Sequence, residues 1–337
     1  MNTRKIRLSA MVALLLVSLC ILTARFAMAQ SAWPTNYFAP YSFQPDSESN
    51  LVGLSQQTGT KFYTLAFIIN STSTPCQASW NATEPIGSWM QARISALQAA
   101  GGDVSASFGG ASGTEVADSC ATLSSLEAQY HSVITTYNLT HLDFDIEGKT
   151  LANKAGNKLR NQAIAALQAQ AAAHGRQLAV SYTLSVNVTG LPQNEINLLQ
   201  DAIHDGVNIS VVNIMTMDYY SKNAPGNQMG QNAIKAAKST IKQLQSLYPW
   251  KSTSQLWTML GLTPMIGVND DPKEIFTLQD AQTVLSFAER KNIAELSFWD
   301  VQRDHQCNQG QKPPNHCTGV TQQPYQYDQT FAPFTTW

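Results

Sequence analysis

Runs dominated by apolar and β-branched residues recur along the chain, and stretches with helical periodicity separate most of them. The runs are YFAPYSF (37–43), KFYTLAFII (61–69), DVSASFGG (103–110), HLDFDIEG (141–148), QLAVSYTLSV (177–186), ISVVNIMTMDYY (209–220), LWTMLGLTPMIG (256–267) and IAELSFWDV (293–301). Between them, SWMQARISALQAAGG (88–102) and NKLRNQAIAALQAQAAAHG (157–175) are amphipathic and rich in helix formers. Both end in a glycine suited to a left-handed cap. The Ala and Gln content of the second predicts a solvated helix. Eight strands alternating with helices predict an α/β fold, a parallel sheet closed into a (β/α)8 TIM barrel. The seventh strand ends near Asn269 and the eighth begins near Ile293, which leaves room for little beyond one helix.

The run HLDFDIEG has an unusual internal order. Asp143, Asp145 and Glu147 alternate with Leu142, Phe144 and Ile146. Alternate side chains of a strand share a face, so the acids stand in file with about 6.6 Å between successive members, twice the rise per residue. The apolar set faces the surrounding helices. In a barrel of this kind, chemistry sits at the C-terminal ends of the strands, which puts Glu147 at the mouth.

Composition narrows the partners. Charged residues make up 13% of the chain and the formal net charge is −2, so no basic field attracts nucleic acid or an anionic membrane. Asn, Gln, Ser and Thr supply the polar surface, in keeping with a neutral, hydroxyl-rich substrate. The basic start MNTRKIR, the apolar LSAMVALLLVSLCILTA and the small-residue site Ala27-Met28-Ala29 predict a cleaved signal peptide over residues 1–29. Its apolar stretch falls short of the ~20 residues that span a bilayer. The expected product is a secreted monomer, one barrel domain over residues 30–337 with no cofactor and no metal. Cys20 leaves with the leader, and proximity in sequence pairs Cys307 with Cys317 and then Cys76 with Cys120. The spacing CNQGQKPPNHC lacks the paired C-x-x-C of a zinc site.

The file of acids resembles the D-G-x-D-x-D-x-E motif on the fourth strand of family 18 glycoside hydrolases, the chitinases, and LDFDIEG supplies its last three acids. Ser107-Phe108-Gly109-Gly110 is similar to the family's S-x-G-G segment at the end of strand three. MTMDYY (215–220) is similar to the strand-six M-x-Y-D segment, and FWDVQRD (298–304) to the strand-eight tryptophan region. The chain departs from the pattern at Thr140 and His141, where Asp and Gly are usual, and at Met217, where a Tyr is usual.

The resemblance implies Glu147 as general acid, Asp145 orienting the substrate's acetamido group, and Asp143 tuning Asp145. It implies Trp299 as a floor for the sugar, with Asp218 and Met215 contacting substrate. Tyr219 or Tyr182 would replace the missing phenol, and Ser107, Gly109 and Gly110 would let the third loop pass close to Asp143. Arg303 and Asp304 are expected to form a structural pair. Without the α+β insertion domain that some members carry between strands seven and eight, the groove is expected to be open and to cut internally. The alternatives are an endo-β-N-acetylglucosaminidase acting on glycan cores, which would use the same acids, and a chitin-binding lectin, which usually lacks the acid at the position of Glu147.

Overall fold

The computed structural model describes residues 33–43, 50–313 and 317–335. The expected leader over residues 1–29, with Cys20, lies outside them. The strands are β1 (Tyr37–Phe38), β2 (Tyr41–Phe43), β3 (Phe62–Asn70), β4 (Ala78–Trp80), β5 (Glu84–Pro85), β6 (Asp103–Gly109) and β7 (His141–Asp145). They continue with β8 (Ala179–Ser185), β9 (Val211–Met215), β10 (Leu260–Thr263), β11 (Gly267–Val268), β12 (Ile275–Phe276) and β13 (Glu295–Leu296).

Neighbours in the order β13-β10-β9-β8-β7-β6-β3 pair in parallel. The first predicted run closes the circle in two pieces. Its β1 half pairs with β13, while its β2 half pairs with β3. The crossing is at Ala39-Pro40, where Ala39 N donates to Leu296 O and Pro40 O accepts from Thr64 N. Proline has no N–H to offer, so Pro40 meets β3 through its carbonyl alone, while Tyr41 N donates back to Phe298 O and the run touches both neighbours. Counted this way, eight strand positions form the barrel, and all eight predicted runs supply one.

The two faces of the barrel wall have opposite chemistry. Leu142, Phe144, Val180, Leu184, Val212, Ile214, Leu262 and Leu296 are buried against helices that contribute Leu126, Tyr130, Ile164, Leu198, Ala237 and Val284. Fully burying one such side chain is worth roughly 1.5–3 kcal/mol. The inner face is polar. Thr263 Oγ1 donates to Asn213 Oδ1 (2.8 Å), Asn213 Nδ2 donates to Thr183 Oγ1 (3.0 Å), and Thr183 Oγ1 donates to Asp143 Oδ1 (2.7 Å), which links β10 to β7 across the interior.

Three sequence expectations need correction. In LWTMLGLTPMIG, Leu256 and Trp257 belong to a short helix, Thr253–Trp257, and the strand begins at Leu260. Ser252 and Gln255 form a capping box there, whose S-x-x-Q spacing outweighs the local β propensity. In ISVVNIMTMDYY the strand stops at Met215. The helix Lys154–Ala173, expected to be solvated, buries Asn157, Arg160 and Asn161, because Arg160 pairs with the equally buried Glu115 at 3.1 Å. Three short antiparallel pairings carried no periodic signal in the sequence: β4 with β3, β4 with β5, and β11 with β12. Apart from β11-β12, the segment between β10 and β13 holds one long helix, Leu278–Lys291, and no inserted domain. Both expected disulfides form, Cys76–Cys120 and Cys307–Cys317.

Candidate active site

At the C-terminal end of the barrel a cleft of about 970 Å3 opens above the strands, and Asp145, Glu147, Met215, Met217, Asp218, Tyr219 and Trp299 all line it. The file of acids stands beneath and beside it. Asp143 lies deepest, 2% exposed, and four hydroxyls from three strands, β2, β6 and β8, donate to it. Tyr41 and Ser107 reach Oδ2 at 2.8 and 2.6 Å, while Ser181 and Thr183 reach Oδ1 at 2.7 Å each. Burial raises its pKa, and all four hydrogen bonds pull the other way by favouring the charged form.

One step up, Asp145 is 4% exposed, and its Oδ1 has no hydrogen-bond partner in the protein. Its pKa is pushed well above the usual carboxylate range, by burial first and then by the charges of Glu147 and Asp143. The strand ends at this residue. Glu147 follows at the N-cap of the short helix Gly148–Ala152, half-buried on the cleft wall. Burial raises its pKa too, helped by the negative charge of Asp218. All three acids thus have raised pKa values, Asp145 most of all, and Asp143 is the one whose charged form four hydroxyls support.

Gly109 and Gly110 explain how the third loop approaches. Gly109 has φ +104°, and a Cβ there would lie 2.1 Å from Asp145 O. Gly110 N donates to that same carbonyl at 2.9 Å. The loop passes against the backbone of Asp145, one step above the expected Asp143, and only a residue without a side chain fits.

Trp299 Nα donates to Pro264 O, extending the pairing of β13 into the cleft. Its indole stacks on Phe67 at 5.6 Å between centroids and 13° between planes, with Phe43 5.9 Å away, so an aromatic surface flanks the acids. Asp218 takes a left-handed backbone, φ 46°, and its Oδ1 accepts from Asp271 N at 3.0 Å. Burial pushes its pKa up to about 6.

Tyr182 is not in the cleft, which corrects the expectation that it could replace the missing phenol. It pairs in register with Phe144 on the outer face and is fully buried, with its hydroxyl 2.6 Å from the side-chain amide of Asn161. Tyr219 remains: it lines the cleft, and its buried hydroxyl has no partner. Arg303 and Asp304 do not pair with each other. Arg303 Nη2 donates to Val268 O, and Asp304 accepts from Gln322 Nε2 and the backbone N–H groups of Tyr327 and Asp328. Sequence reasoning passed over Tyr41, Phe43, Phe67, Asp270 and Asp300. Tyr41 sits at an inward-facing position of the first run, a parity that could have been read from the sequence. Among the described residues no group of three His, Cys, Asp or Glu side chains is arranged to hold a metal ion.

No family model matches the chain. The catalytic domain of a hyperthermophilic chitinase from Pyrococcus furiosus superposes with a TM-score of 0.81 at 34% identity, covering 90% of this chain and 96% of that one. "Probable bifunctional chitinase/lysozyme" of Escherichia coli (strain K12) is 35% identical over 320 residues, 92% of this chain and 36% of that protein. Endochitinase 11 of Metarhizium anisopliae is 35% identical over 288 residues, 83% of this chain and 55% of that protein. The chain thus spans about a third to about a half of these two curated relatives. Identity above 30% along nearly the whole of a solved catalytic domain leaves no other assignment, and the chain belongs to the family 18 glycoside hydrolases, the chitinases.

Proposed function

We propose that the protein is a secreted endo-acting chitinase that hydrolyses β-1,4 linkages between N-acetylglucosamine units by a substrate-assisted, retaining mechanism. The carrying observation is the file of acids at the cleft: Glu147 at the mouth with its pKa raised by burial and by Asp218, Asp145 below it with an open carboxylate oxygen, and Asp143 held by four hydroxyls.

In the first step the acetamido oxygen of the bound sugar attacks its own anomeric carbon and the bond to the leaving oxygen breaks. Glu147 gives its proton to that oxygen. Asp145 turns its unpartnered Oδ1 to the acetamide nitrogen and stabilises the positive charge that grows there. In the second step water adds to the anomeric carbon, the cyclic oxazolinium opens, and Glu147 recovers a proton. Trp299 supplies the apolar floor, and Tyr219 in the cleft wall takes the place of the missing phenol. The open cleft and the absence of an inserted domain between β10 and β13 support internal cuts.

Purified protein should release new reducing ends from N-acetylglucosamine oligomers, and Glu147→Gln should lose about 10²–10⁴-fold of that rate. A fully deacetylated oligomer should stay intact, because it lacks the internal nucleophile. If the unmodified protein binds the oligomers without turnover, the reading fails in favour of a lectin, and cleavage confined to glycoprotein glycans favours an endo-β-N-acetylglucosaminidase. Export with loss of residues 1–29 predicts a secreted monomer whose mass begins at Gln30. Mass spectrometry of culture medium checks this.

A further inference from the structure

The turn from Asp218 to Tyr220 lines the cleft in a backbone that side chains of this size rarely adopt. Both Asp218 and Tyr220 are left-handed, φ 46° and 47°. Aspartate tolerates that region, while a tyrosine there is an outlier. Something outside the turn must hold it.

That group is Glu274. Its carboxylate, 2% exposed, places Oε2 3.0 Å from Tyr219 N and Oε1 2.9 Å from Tyr220 N, so each oxygen takes one N–H of the turn. Glu274 itself stands on a closed platform, the loop between β11 and β12. Asn269 N donates to Glu274 O, Glu274 N donates to Asp271 O, and Ile275 N donates to Gly226 O. The same loop grips Asp218 from the other side, through Asp271 N on its Oδ1 and Asn269 Oδ1 on its N–H. We infer that Glu274 is a positioning residue for the reaction: it latches the turn so that Asp218 stands beside Glu147 and Tyr219 keeps its place in the cleft wall. This deepens the chitinolytic reading and rests on it.

The charges around Asp218 give the latch a second signature. Asp270, Asp271 and Glu274 face it from the hairpin loop, Glu147 from the end of β7, Arg303 from the segment after β13, and Tyr220 is its neighbour. Burial raises the pKa of Asp218, and the Glu274 charge raises it further. Without that charge Asp218 should ionise at lower pH.

Glu274→Gln and Glu274→Ala test the latch, with N-acetylglucosamine oligomers as substrate and thermal melts as the check on folding. The expected result is a fall in kcat of about tenfold to 100-fold for the Ala variant with KM changed less, since small displacements of positioned groups cost that much. The Gln variant, which keeps one acceptor oxygen, should recover part of the rate, and its acid limb should move to lower pH. Amide hydrogen exchange at Tyr219 and Tyr220 should speed up at least tenfold in the Ala variant. That readout needs no turnover, so an inactive wild type would sink the chitinase reading while leaving the latch testable. Wild-type kcat and acid limb in Glu274→Gln, or unchanged exchange in a folded Glu274→Ala, would overturn the inference. If the Ala variant fails to fold, the kinetics and exchange of the Gln variant decide in the same terms.

Discussion

At the scale of single residues, the site works by dividing charge unequally among like groups. Three carboxyls in file in a restricted dielectric cannot all ionise, and their titration belongs to the group. Hydrogen bonds decide where the charge rests: Asp143 receives four hydroxyl donors and Asp145 has an oxygen with none. Asp218 acts on the other end of the file. Its negative charge raises the pKa of Glu147, and Glu147 must be protonated to act as an acid, so activity falls as pH rises through that value. Asp218→Asn removes the charge and should move the alkaline limb of the rate profile to lower pH, as read by kcat against pH. A limb that stays in place would show that Asp218 does not support the proton on Glu147.

Secondary-structure elements carry the second level, because they set how close these residues come. The third loop lies against β7 only because position 109 lacks a side chain. Gly109→Ala combines an unfavourable φ with a Cβ 2.1 Å from Asp145 O, and should cost about 3 kcal/mol or more in a urea titration while lowering activity.

The same loop is tied from behind by the buried pair of Glu115 with Arg160 of the helix Lys154–Ala173. Arg160→Met leaves Glu115 buried without its partner and should destabilise by about 3–5 kcal/mol, while Glu115→Gln in the same chain should restore much of the loss. Equal losses in the single and double variants would contradict this.

What the sequence made legible divides along these lines. Alternation in HLDFDIEG identified the inner face of β7, because period-two patterning needs nothing beyond the strand itself. Tyr182 was legible in the same way, since it alternates with Ser181 and Thr183 and shares the apolar face of Val180 and Leu184, and the register with Phe144 agrees. The helix with Arg160 looked solvated because its partner, Glu115, is supplied from a distant loop. The β11-β12 hairpin holding Glu274 has two-residue strands, too short for any period to show.

At the scale of the whole molecule, the barrel closes through the split first strand and is finished by the C-terminal segment. The described residues form one compact unit. In that segment Asp328 is buried, with Oδ1 accepting from Thr60 and Oδ2 unpartnered. Burial pushes its pKa up to about 7, and that of Asp304 to about 6. An unfolded Asp titrates near 3.9, so the folded state holds a proton that the unfolded chain releases. Stability from these groups is present at low pH and is lost as pH rises between about 4 and 7. Asp328→Asn should therefore melt above the wild type at pH 8 and close to it at pH 4, as calorimetry would record.

The account as a whole rests on the sugar's own acetamide completing the displacement beneath Glu147. The most direct test is the anomeric configuration of the first product, followed by proton NMR during hydrolysis of an N-acetylglucosamine oligomer, before mutarotation equalises the anomers. Retention, with the β anomer appearing first, is the predicted result; initial release of the α anomer would contradict it.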